Sequence, residues 1–110
     1  MSNDKLNLQS VKISLDSKVI LDDVNLKIDT GEIVSLMGSS ASGKTSLIRS
    51  IAGFHNISSG VIQIDGQIVD DSIRRSDVAM RNVGVIFQDL ALFPHLTVRE
   101  NICFGLNNID

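Results

Sequence analysis

Apolar residues recur at every second position over the first thirty residues: Leu6 and Leu8, then Val11, Ile13 and Leu15, then Val24, Leu26 and Ile28. Successive side chains of an extended strand point to opposite faces, so this spacing predicts antiparallel strands with one face buried and the other wetted. The composition of Asp29-Thr30-Gly31-Glu32 predicts a turn, after which Ile33-Val34-Ser35-Leu36-Met37 is apolar almost without a break. A run so short and continuous predicts a strand buried on both faces, which is the pattern of a parallel sheet.

The period then changes. From Lys44 to Ala52 the apolar positions Leu47, Ile48, Ile51 and Ala52 follow helical spacing, and Gly53 stands where a left-handed residue would end the helix. Val61-Ile62-Gln63-Ile64-Asp65, Gly66 and Gln67-Ile68-Val69 predict a hairpin, although Asp65-Gly66 leaves its turn type open. Asp70 to Arg81 is polar and carries no legible period. Val83-Gly84-Val85-Ile86-Phe87 predicts a second buried strand that ends at Gln88. Beyond Pro94, Thr97-Val98-Arg99-Glu100 has capping-box spacing, so a last helix is expected to begin there. No internal repeat and no low-complexity linker interrupts this order.

Composition adds exclusions. The 110 residues are 43% hydrophobic and 21% charged, a balance suited to one soluble globular domain at most. Ten basic against thirteen acidic residues leave a net charge of -3, scattered along the chain, so nucleic acid is not an expected partner. The single cysteine, Cys103, cannot close an internal disulfide; it reads as a small core hydrophobe in a reducing compartment. No apolar stretch reaches the ~18 residues of a bilayer crossing, and Met1-Ser2-Asn3-Asp4-Lys5 lacks the basic-then-apolar order of a signal peptide. A cytoplasmic location is the expectation.

The chemistry lies between the first expected buried strand and the first helix. Gly38-Ser39-Ser40-Ala41-Ser42-Gly43-Lys44-Thr45 fits G-x-x-x-x-G-K-[ST], the phosphate-binding P-loop or Walker A motif. Gly38 and Gly43 allow torsions and close approach that a side chain would forbid, so that successive amides converge on phosphate oxygens. The helix that follows aims its free N-terminal amides and positive dipole end at the same place. Lys44 would contact the β- and γ-phosphates, the Thr45 hydroxyl would help hold Mg²⁺, and Ser46 would add a contact to the α-phosphate. A P-loop names nucleotide phosphate and not a reaction, since kinases, GTPases and several kinds of ATPase share it.

The stretch 82–102, reading Asn-Val-Gly-Val-Ile-Phe-Gln-Asp-Leu-Ala-Leu-Phe-Pro-His-Leu-Thr-Val-Arg-Glu-Asn-Ile, closely resembles the Q-loop region of ABC transporter ATPases. Leu21-Asp22-Asp23-Val24-Asn25-Leu26, Gly31-Glu32-Ile33-Val34, Ile51-Ala52-Gly53, Ser59-Gly60 and Ile64-Asp65-Gly66 resemble the same family around Walker A. The similarity runs from about Leu8 to Leu106. Leu92-Phe93-Pro94-His95-Leu96-Thr97 looks most like the ATPase subunits of bacterial solute importers.

The resemblance implies an α/β fold: the N-terminal half of a P-loop NTPase core of ABC ATPase type, with an antiparallel β subdomain. Residues 1–110 would form a partial nucleotide-binding domain with its P-loop at 38–45 and its Q-loop region at 85–95. It implies ATP and Mg²⁺ as ligands, held by Gly38, Ser39, Ser40, Ala41, Ser42, Gly43, Lys44, Thr45 and Ser46, with Thr45 and Gln88 at the metal. Gln88 would be the Q-loop glutamine, which contacts Mg²⁺ and the catalytic water and links nucleotide state to a transmembrane permease. A homodimer on the cytoplasmic face of the membrane, coupling ATP hydrolysis to solute import, is implied as well.

Departures from the family pattern limit that picture. The aromatic residue that commonly stacks on adenine is matched here by Leu15 or a neighbour, and Ala41 stands where the family loop usually has glycine. No Leu-Ser-Gly-Gly-Gln signature occurs, and the Walker B aspartate with its glutamate and the switch histidine are also missing. His95 and His55 read as loop residues, not as a catalytic base or metal ligands. The chain is therefore expected to bind nucleotide without turnover. Other readings are a non-enzymatic nucleotide-binding or permease-docking module using Gln88 to Gly105, a small P-loop kinase, and a gene remnant. Ile33, Val34, Leu36 and Val85 are expected to face an unpaired edge or an uncovered face, leaving a marginal, aggregation-prone domain.

Overall fold

The antiparallel strands expected in the first thirty residues and the hairpin expected at 61–69 are both present in the computed structural model, which describes residues 4–38, 43–86 and 94–103. Strand β1 (Asp4–Leu15) pairs antiparallel with β2 (Lys18–Asp29), and β3 (Ser59–Ile64) pairs antiparallel with β4 (Gln67–Asp70). At the first turn Asp16 and Ser17 have φ of 51° and 63°; at the second, Asp65 and Gly66 have 53° and 76°. Two left-handed residues in a two-residue loop make a type I′ turn, whose twist matches that of the strands it joins. That settles the turn left open at Asp65-Gly66.

The hairpins then join. β1 pairs with β3 through Leu6↔Ile64 and Leu8↔Ile62, giving one four-stranded sheet of order β2-β1-β3-β4. Its inner face buries Leu8, Val11, Ile13, Ile62 and Val69 against Leu47 and Ile57. The apolar positions of β1 change from even, at Leu6 and Leu8, to odd, at Val11 and Ile13, and a β-bulge explains why both sets face the core. The register slips by one residue between Leu8 and Val11, where Ser10 has φ 50° and donates its N–H to Asn25 Oδ1 at 2.9 Å. The extra residue returns the later side chains to the buried face. A matching slip on β2, with Asp23 at φ 54°, brings Leu21 into line with Val24.

Helix α1 (Lys44–Ala52) crosses the same core, burying Leu47, Ser50 and Ala52 and leaving Ile48 44% exposed. Gly53, at φ 101°, ends it as expected: Arg49 O accepts the N–H of Gly53 at 3.0 Å and of Phe54 at 2.8 Å.

Neither expected buried strand is seen among the described residues; Phe87 and Gln88, at the end of the second, lie outside them. Residues 32–37 and 83–86 have no strand pairing, and every sheet contact among the described residues is antiparallel. Ile33 is 95% exposed and Met37 91%, whereas Val34 and Leu36 are 39% and 38%, so the run leans on the body by one side only. A strand buried on both faces needs neighbours to take its amides and carbonyls. No described strand lies beside either run. The expectation that Ile33, Val34, Leu36 and Val85 lack a covering partner agrees with this, most fully for Ile33; Val85 is half-buried.

Helix α2 (Val98–Cys103) starts on the expected capping box: Thr97 N–H donates to Glu100 Oε1 at 2.9 Å, and Glu100 N–H donates to Thr97 Oγ1 at 3.1 Å. Cys103 is exposed, which corrects its reading as a core residue; α2 buries none of its six residues. The bonds from Thr97 hold the Glu100 carboxyl below its ordinary 4.5. A lowered folded-state value means that the cap contributes fully above pH 4.5 and is lost as pH falls through the folded pKa. Acid titration below pH 4.5 is therefore expected to shift the Thr97 and Glu100 amide resonances, and Glu100→Gln to remove that shift. Identical titrations in the two proteins would contradict it.

Candidate nucleotide-phosphate site

The described part of the P-loop consists of its two ends. Gly38 closes the segment after β2, and Gly43 opens α1 with φ 90° and ψ 9°. A Cβ on Gly43 would also come within 2.9 Å of Leu21 Cγ and 3.0 Å of Ile20 Cγ2. Torsion and space both require glycine, because the backbone turns into α1 directly against β2. Gly43 O accepts the Leu47 N–H at 2.9 Å, the first bond of the helix.

Among the described residues, no side chain caps the start of α1, and the first turn holds no acidic residue. Helix-terminal amides have no partner within the helix and carry partial positive charge, so this one is open to an anion. Lys44 Nζ donates to Gly38 O, which ties the two described ends of the loop together. Thr45 is exposed in the first turn and Ser46 half-buried. Gly38, Gly43, Lys44, Thr45 and Ser46 are thus gathered at one helix end; Ser39, Ser40, Ala41, Ser42 and Gln88 lie outside the described residues. Leu15 closes β1 half-buried, on the hairpin against which Gly43 packs.

Other candidates place elsewhere. His95 is exposed in a turn and His55 is half-buried after α1. Among the described residues no three His, Cys, Asp or Glu side chains gather as metal donors. An open cleft of about 510 Å³ at the far end of the sheet is lined by Asp4, Asn7, Lys27 and Gln63 among others, none of them P-loop residues.

The polar stretch 70–81 hides the residue that sequence reasoning missed. A 3₁₀ turn, Val78–Arg81, delivers Arg81 to the C-terminal end of α1, where it is only 3% exposed. Its Nη1 donates to Ser50 O at 3.0 Å and Ile51 O at 3.3 Å, Nη2 to Val69 O at 3.2 Å and Nε to Ser76 O at 3.1 Å. Burial lowers its pKa, the nearby Asp70 carboxylate opposes that, and Arg75 reinforces it. No local signal marks Arg81, since its acceptors lie up to 31 positions away.

A family model described as ABC transporter matches residues 21–110, which covers the P-loop, α1, both strands of the second hairpin and α2. The chain belongs to the ABC transporter family. Among curated ABC proteins, it is 43% identical over 101 residues to the sulfate/thiosulfate import ATP-binding protein CysA 2 of Shewanella oneidensis, covering 92% of this chain and 27% of that protein. It is 45% identical over 106 residues to the spermidine/putrescine import ATP-binding protein PotA of Fusobacterium nucleatum, covering 96% of this chain and 27% of that one. The chain thus spans about a quarter of the length of these relatives. Family membership makes the chain a P-loop NTPase by descent, while its described structure is the antiparallel part with α1 and α2. No described helix is long and apolar enough to cross a membrane.

Proposed function

We propose that this chain is the nucleotide-phosphate-binding portion of an ABC importer's ATP-binding subunit. The observation that carries the reading is the junction at Gly43: a helix start with no acidic residue in its first turn and no side-chain cap among the described residues, with Lys44 Nζ bonded to Gly38 O. The α1 amides would take phosphate oxygens. Lys44 would exchange the neutral Gly38 carbonyl for the β- and γ-phosphates, a charge-assisted bond and the stronger of the two. The exposed Thr45 hydroxyl fits one position on Mg²⁺, with phosphate oxygens as the remaining natural donors. When bound there, Mg²⁺ would supply charge neutralisation for the phosphates. Gln88 is proposed as the residue that reaches toward that metal and the permease.

Hydrolysis needs a group that orients the attacking water and further charge around the γ-phosphate. Neither is among the residues gathered at α1, so this chain alone is proposed to bind ATP without turnover. In a whole importer subunit the same site would face a second subunit, on the cytoplasmic side of the membrane beside its permease. Near-equal identity to importers named for an inorganic anion and for polyamines supports assigning solute choice to other parts of such systems.

Titration with a fluorescent ATP analogue in Mg²⁺ tests the reading. Binding is expected, and Lys44→Ala should weaken it by about ten- to a hundredfold, the value of one or two kcal/mol-scale charged hydrogen bonds. Equal affinity in the two proteins sinks the proposal. Steady hydrolysis abolished by Lys44→Ala would sink the no-turnover part alone.

A further inference from the structure

We propose that Arg81 is a positioning residue for the nucleotide site, setting from the opposite end of α1 where Lys44 and Thr45 stand. The inference rests on the phosphate-binding reading above. The Arg81 guanidinium gathers carbonyls from three separate places: Ser50 and Ile51 in the last turn of α1, Val69 on β4, and Ser76 in the loop that follows. Only a planar fork of five donors can serve acceptors spread in this way. Two of the acceptors belong to the helix terminus, whose carbonyls have no intrahelical partners and favour a cation. Gly53 makes room, since a Cβ there would lie 3.1 Å from both Cζ and Nε of Arg81.

The consequence for the site follows from leverage. At 1.5 Å per residue, the nine residues of α1 put the Lys44 end roughly 12 Å from this anchor, so a tilt of about 10° displaces the first turn by ~2 Å. Phosphate cradles work within ~0.5 Å of their productive geometry. At its phosphate end α1 meets β2 through Gly43 against Ile20 and Leu21, an apolar contact with little directional preference. The bonds to Ser50 O and Ile51 O, tied through the same guanidinium to Val69 O and Ser76 O, add directed contacts at the other end to the apolar packing of Leu47 and Ala52.

The test compares the full chain with Arg81→Met and Arg81→Lys, each checked for native circular dichroism at low temperature, by ATP-analogue titration and by amide resonances of Gly43 to Leu47. Both variants are expected to shift those resonances and to bind on the order of tenfold more weakly. Lysine should recover part of the loss, because it returns the charge but not the fork. In a cycle with Lys44→Ala the two losses should overlap instead of adding, which a purely stabilising residue would not produce. Unmoved resonances and unchanged affinity in a folded variant, with only a lower Tm, would overturn the inference. Should Arg81→Met fail to fold, Arg81→Lys gives the same readings. If wild type itself binds no nucleotide, the functional reading fails, while the resonances still decide whether Arg81 orients α1.

Discussion

Gly60→Ala is expected to destabilise the chain by about 3 kcal/mol or more, a large part of the ~5–15 kcal/mol available to a domain of this size. Gly60 sits on β3 opposite the bulge of β1, at φ 95°. A Cβ there would lie 2.7 Å from Gln9 O and closer still to Ser10 O, both backbone atoms that cannot swing away. The bulge is what turns Val11 and Ile13 inward, so relieving the clash means separating β1 from β3 or undoing the register of the core. Gly66→Ala is the control: φ is again left-handed, at 76°, but nothing lies within 4 Å. It should lose only the ~1–2 kcal/mol of a left-handed alanine. Urea unfolding followed by circular dichroism separates the two, and equal losses would refute the steric account.

Asp70→Ala is the second large effect, expected to cost about 3 kcal/mol. Asp70 is fully buried at the end of β4, where Oδ1 accepts the Ser72 N–H at 2.8 Å and meets Arg75 Nε at 3.5 Å. Its charge also opposes the burial cost of Arg81. Alanine would orphan the Ser72 amide and remove a carboxylate whose charge offsets the burial of Arg81. Asp70→Asn can keep the Ser72 bond while removing the charge, so it should fall between alanine and wild type if the charge matters. Urea midpoints measure both. An alanine variant within ~0.5 kcal/mol of wild type would show that the Asp70 charge is not needed.

The sheet's strands were legible because period-two alternation survives even across a bulge, provided that the even and odd runs are read separately. Helix α1, its Gly53 stop and the Thr97–Glu100 cap were legible for a related reason: each depends on residues within about five positions of one another. The P-loop was legible as a motif, and the structure accounts for two of its residues physically, Gly43 through torsion and contact, Lys44 through its bond to Gly38 O. Residues 33–37 and 83–86 misled because hydrophobicity reports only a wish for burial. Whether a run becomes a strand depends on hydrogen-bond partners that the run does not contain. Cys103 misled similarly, since a small apolar side chain carries no record of which helix face meets the core.

Local pattern and family resemblance were enough to specify antiparallel strands over the first thirty residues, a hairpin at 61–69, two helices and a phosphate-binding loop before helix α1. Packing in three dimensions settled the rest: that Leu6 and Leu8 meet Ile64 and Ile62 to merge two hairpins, that Gly60 accommodates a bulge, and that Arg81 closes the far end of the P-loop helix. The division has one physical cause. Periodicity, turn torsions and caps are interactions between chain neighbours, whereas strand pairing and the satisfaction of a buried charge join groups dozens of residues apart, whose meeting no local pattern encodes.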